Sequence, residues 1–112
     1  MTLTRDSQET IVTRINADAA FAQALLEEAA ALYLQGEATT AKATLHILIS
    51  ATVGYERLAT QIAKPRRSLQ RMLSRSGRLT MRNFAAIFQT LRDAPRCNLN
   101  AKSLRLIRYQ LQ

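Results

Sequence analysis

The sequence has a single cysteine, Cys97, a single histidine, His46, no tryptophan, two prolines and three glycines, and aromatics make up only 5% of its 112 residues. One cysteine cannot close an intrachain disulfide, and one cysteine with one histidine cannot assemble a zinc cluster, so no metal or other cofactor is expected. Nowhere does an uncharged apolar run approach the roughly 18 to 20 residues that a membrane span requires. The opening Met1-Thr2-Leu3-Thr4-Arg5-Asp6 has no apolar signal-peptide core, which makes the cytoplasm the expected compartment. Carboxylates are nearly absent from the second half, where Asp93 stands alone after residue 56. No paired acid and base, Cys/His pair or Gly-rich phosphate loop is present, so an enzyme is the least expected class.

What is there is alanine, leucine and arginine. Hydrophobic residues make up 47% of the chain, few of them aromatic, a balance that favours helices over a β sandwich. A chain of this length makes one domain. The net charge of +8 is unevenly spread: residues 1–56 carry three basic and seven acidic side chains, residues 57–112 thirteen basic and one acidic. Clustered Lys and Arg release counterions from a phosphate backbone, so the second half points to a polyanion partner.

Helical periodicity recurs along the chain. A first helix is expected over about Ser7 to Ile15, with Ile11 and Ile15 one turn apart and Asp6 or Ser7 as cap. Asp18 is the expected N-cap of a second, Ala19 to about Gln35, with Phe21, Leu25, Ala29 and Leu32 on one stripe and Gly36 at its end. Thr39 or Thr40 starts a third, which aligns Leu45, Leu48, Ile49 and Thr52 until Gly54 ends it. His46 lies beside that face and is assigned no chemistry. A last helix is expected after Thr80 as N-cap, with Phe84, Ile87, Phe88 and Leu91 in full i, i+3, i+4, i+7 spacing, stopped by Asp93-Ala94-Pro95-Arg96. The expectation is an all-α domain of about five to six helices. Residues 1–54 form its acidic helical part and residues 55–96 its basic part. Residues 97–112 are left as a basic tail, for which a short strand through Leu104 and Leu106 and a loose segment are both open.

Between Tyr55 and Leu73 two short helical pieces are broken by Ala63-Lys64-Pro65. Proline is tolerated at the start of a helix and not in its middle, so Pro65 opens the second piece. These are the dimensions of a helix-turn-helix. Counting Tyr55 as the first position, the small Ala59 is fifth, where two backbones must approach, and the apolar Leu58, Ile62, Leu69 and Met72 are fourth, eighth, fifteenth and eighteenth. Ala63 stands where a turn glycine is usual, and Lys64 where a buried aliphatic is usual. The second piece leaves Arg66, Arg67, Ser68, Gln70 and Arg71 facing outward. Arg reads guanine O6 and N7 bidentately, Gln reads adenine N6 and N7, and Ser permits close approach, so these five are the candidate base readers. Lys64, Arg75, Arg78 and Arg82 are better placed for phosphates.

The stretch Ile49-Ser50-Ala51-Thr52-Val53-Gly54-Tyr55, with Leu58-Ala59, Lys64-Pro65, Ser68-Leu69, Arg71-Met72-Leu73, Asn83-Phe84 and Ala86-Ile87, resembles the Xre-type, lambda-repressor-like helix-turn-helix regulators. Within them it is most similar to the HigA-like antitoxins of type II toxin-antitoxin modules, as are Leu3-Thr4-Arg5-Asp6 and the Phe21, Leu25-Leu26-Glu27-Glu28-Ala29 segment. The resemblance covers residues 3–101 and is more specific for the DNA-binding fold than for the antitoxin role. It implies a homodimer on a palindromic operator of double-stranded DNA, repression of its own operon, and capture of a RelE/ParE-like toxin. Acidic Asp18, Glu27, Glu28 and Glu37 suit a basic toxin. Two alternatives stand beside this reading: a stand-alone or phage-type repressor with no toxin, and a basic module that binds an acidic protein or RNA.

Overall fold

A computed structural model describes residues 5–94, with side chains from Ser7 onward. They form six helices: α1 (Arg5–Ala17), α2 (Ala19–Leu34), α3 (Ala38–Ala51), α4 (Gly54–Ile62), α5 (Arg66–Met72) and α6 (Met81–Asp93). No strand occurs among the described residues, and the segment for which a strand or a loose tail was expected lies outside them.

Local chemistry sets most of the boundaries. Asp18 caps α2, its Oδ1 accepting from the N–H groups of Ala20 at 3.0 Å and Phe21 at 3.2 Å. Beyond α2, Gly36 takes φ +86° while the N–H of Glu37 donates to Leu32 O at 2.8 Å and that of Gly36 to Tyr33 O at 3.2 Å. This paired closure satisfies carbonyls that the helix end leaves open. Thr80 caps α6, its hydroxyl accepting from the Asn83 N–H at 3.3 Å. The start of α3 differs from expectation: the helix begins at Ala38, with Glu37 at the cap position and no side-chain cap bond, so neither Thr39 nor Thr40 caps it. Gly54, expected to close α3, instead begins α4 with φ +78°, and α3 ends at Ala51.

α2 and α3 form the most extensive helix pair, and α1 lies against both. α4 connects to α3, α5 and α6, while α6 returns to touch α2. Ile15, Leu26, Leu45, Leu48, Ile49, Leu58, Leu69, Ile87 and Leu91 are fully buried where these helices meet. Each such side chain contributes about 1.5–3 kcal/mol through apolar burial. The buried line of α2 is Ala22, Leu26 and Ala29, with Tyr33 packed at its end, rather than the Phe21, Leu25, Ala29 and Leu32 stripe. The cause lies in the sequence of α2, which is Ala- and Leu-rich around most of its circumference; no single stripe stands out, and its three neighbours decide which one is covered.

Candidate nucleic-acid interface

The turn between α4 and α5 is built on Ala63, whose φ of 55° and ψ of 45° place it in the left-handed region. Its N–H donates to Thr60 O at 3.4 Å and the N–H of Lys64 donates to Ala59 O at 3.1 Å. These two bonds make the same paired closure as at Gly36, so Ala63 adopts the conformation for which glycine is the usual residue. Pro65 follows in extended conformation, with φ −61° and ψ 143°, and occupies the N-cap of α5 rather than its first turn. The next residue is thereby turned into a new helix. Lys64 is half-buried between them.

Of the expected motif core, Leu58 and Leu69 are fully buried and Met72 nearly so, while Ala59 and Ile62 are half-buried and pack against the core. Leu73, just past α5, is buried with them. All five expected outward residues of α5, Arg66, Arg67, Ser68, Gln70 and Arg71, are exposed. A helix of this length is about 10 Å long, and its first turn, carrying Arg66, Arg67 and Ser68, is the part that reaches base edges when such a helix enters a major groove about 12 Å wide. Arg66 also reaches back across the turn to Glu56, Nη1 to Oε1 at 3.4 Å. Arg75, Arg78 and Arg82 are exposed on the loop and helix that follow. Between residues 57 and 94, nine basic side chains stand against the single Asp93.

Four residues that matter to this face carry no assignment in the sequence analysis. Lys42 is buried and donates to the carbonyls of the loop after α5. Its spacing carried part of the signal, three residues before Leu45 and seven before Ile49 on the buried side of α3, but not its partners. Tyr33 donates through its hydroxyl to Leu79 O at 2.7 Å and stacks on Phe84, ring centroids 4.5 Å apart. His46 and Tyr55 face each other, Nδ1 to Oη at 2.6 Å. Burial pushes the Tyr55 phenol from 10.0 up to about 12, so at neutral pH it keeps the proton that it donates when His46 carries its own on Nε2. The pair lines an open cleft of about 550 Å³ that Gln70 also borders.

On the acidic half, Glu27, Glu28 and Glu37 are exposed, and the carboxylate of Asp18 is engaged in capping α2. The described residues contain no group of three or more His, Cys, Asp or Glu able to hold a metal ion. None of their helices is long and apolar enough to cross a membrane. In comparisons with known proteins, no family model, no curated protein and no solved structure matches this chain.

Proposed function

We propose that this chain is a cytoplasmic, sequence-specific binder of double-stranded DNA that acts as a transcriptional repressor, with α5 as its recognition helix. The carrying observation is how α5 is anchored and what it leaves free: Leu69 and Met72 are held in the core while Arg66, Arg67, Ser68, Gln70 and Arg71 all stand exposed. A merely solvated basic helix has no need of a buried brace in α4 and a closed turn that set its direction, whereas groove reading needs both. One such helix makes few base contacts, so the working unit in this reading is a homodimer on a palindromic operator, two half-sites a helical turn apart. No catalytic step is part of it.

The finer proposal is an antitoxin of the HigA-like, Xre-type class that represses its own operon and holds a basic RelE/ParE-like toxin on its acidic half. Exposed Glu27, Glu28 and Glu37 support it electrostatically. A neighbouring reading frame for a small basic protein that co-purifies with this chain is the expected finding, and its absence favours the stand-alone repressor.

Duplex affinity measured against salt tests the main reading, using a duplex selected from a random pool and an unrelated one. Specific binding predicts a steep salt slope for wild type. Arg67→Ala is expected to weaken the selected duplex by about 10- to 100-fold and to erode its preference over the unrelated one. Equal weak binding to every duplex, unchanged by the substitution, removes the recognition-helix proposal.

A further inference from the structure

Lys42 is the one charged residue buried among the described residues, with 6% of its surface exposed. Its ammonium donates to three backbone carbonyls at once: Ser74 O at 2.8 Å, Gly77 O at 2.9 Å and Arg75 O at 3.3 Å. An ammonium has three N–H donors, so all are spent on the chain's own backbone and none remains for a phosphate. Burying this charge is costly unless it is fully satisfied, and a cage of carbonyls is one way to satisfy it without a counter-ion.

The cage is the turn that leaves the recognition helix. The Ser74 N–H donates to Arg71 O at 3.2 Å, its hydroxyl to the same carbonyl at 2.6 Å, and the Gly77 N–H to Ser74 O at 3.1 Å. The turn folds back so tightly that a Cβ at Gly77 would overlap the Arg71 carbonyl. Three carbonyls pointed at one spot repel each other unless a cation sits there, and Lys42 is that cation. Two residues beyond Gly77, Tyr33 takes the Leu79 carbonyl. Two side chains from the acidic half therefore hold residues 74–79, the segment that carries Arg75 and Arg78.

We propose that Lys42 is a positioning residue of the DNA-binding face: an internal cation that fixes the turn after α5, so that Arg75 and Arg78 are pre-set against the phosphates flanking the recognition helix. The proposal rests on the DNA-binding reading. Rigid presentation lowers the ordering cost of each phosphate contact, so without the cation both arginines sample many positions and contribute less to binding.

The test uses Lys42→Met, with Leu48→Ala as a core variant on the same helix whose apolar side chain has no hydrogen bond to give the turn. Amide exchange on the free protein is expected to quicken by about tenfold or more at Ser74 and Gly77 in Lys42→Met and to stay unchanged there in Leu48→Ala. Well below either melting temperature, Lys42→Met is expected to bind the selected duplex about tenfold more weakly, with a salt slope shallower by one to two phosphate contacts. Leu48→Ala keeps the wild-type slope. If Lys42→Met does not fold, Lys42→Gln, which retains part of the donor set, carries the same measurements. Wild-type exchange at residues 74–77 together with a wild-type slope overturns the positioning role and leaves the DNA reading standing. Failure of the wild type itself to prefer any duplex defeats the DNA reading and is seen before a variant is made.

Discussion

Glu56 and Arg66 meet across the turn of the α4–α5 pair, Oε1 to Nη1 at 3.4 Å, with 85% and 55% of their side chains exposed. So exposed a pair contributes little to stability, within about 0.5 kcal/mol. Its consequence is for the proposed binding, because Glu56 pairs with a cation that this reading assigns to a base edge and adds a negative charge next to it. Glu56→Gln is expected to leave the melting temperature nearly unchanged and to raise affinity for duplexes of any sequence several-fold at low salt, an advantage that fades as salt screens it. Titration of wild type and variant at two salt concentrations checks this; a loss of affinity would mean that the ion pair orients Arg66 rather than restraining it.

Ala63 carries backbone strain that a single change relieves. The left-handed conformation costs a residue with a Cβ about 1–2 kcal/mol, and glycine avoids that while giving up about 0.5–1 kcal/mol of chain entropy. Ala63→Gly is accordingly expected to stabilise by about 0.5–1 kcal/mol, read as a higher denaturant midpoint at unchanged slope. Ala63→Val, with a branched Cβ at the same φ, is expected to lower the midpoint.

The burial pattern of α5 was legible in the sequence because two signals coincide there: an apolar spacing at Leu58, Leu69 and Met72, and long polar residues at the positions it leaves. Asp18 and Thr80 were equally legible, since a polar residue just before an apolar-periodic run has a local reason to be there. The stripe of α2 was not, because Ala and Leu on most sides of a helix carry no direction until neighbouring helices choose one. Gly54 misled for a related reason: a positive φ serves a helix start as well as a helix end, and the residue type alone does not say which. Lys42 went unassigned because a lysine in an apolar helix is ordinarily extended to water. The three carbonyls that keep it inside lie more than thirty residues further along the chain.

Tyr55 gives the protein an alkaline sensitivity with a definite sign. Below pH 10 the phenol is protonated in folded and unfolded chains alike; between 10 and about 12 the unfolded chain releases the proton while the folded chain, desolvating the phenol, retains it. Stability from this group is therefore present below pH 10 and is lost as pH rises toward 12. Denaturant midpoints measured from pH 8 to 12 are expected to fall less steeply above pH 10 in Tyr55→Phe than in wild type. Parallel curves for the two proteins would show that the phenol is not desolvated.

Leu69 and Gln70 are chain neighbours in α5, one fully buried and the other exposed. Truncating Leu69 leaves a cavity between α5 and the core, and such losses cost about 2–5 kcal/mol, so Leu69→Ala is expected to lower the melting temperature by well over 5 °C. Gln70→Ala removes only solvated atoms and is expected to stay within about 0.5 kcal/mol of wild type. In duplex binding the order is expected to reverse. At a temperature where both variants are folded, Gln70→Ala is expected to lose about 1–3 kcal/mol of discrimination at one operator position, whereas Leu69→Ala keeps the sequence preference. A stability loss in Gln70→Ala as large as that in Leu69→Ala would mean that α5 is not divided into a packed and a reading side.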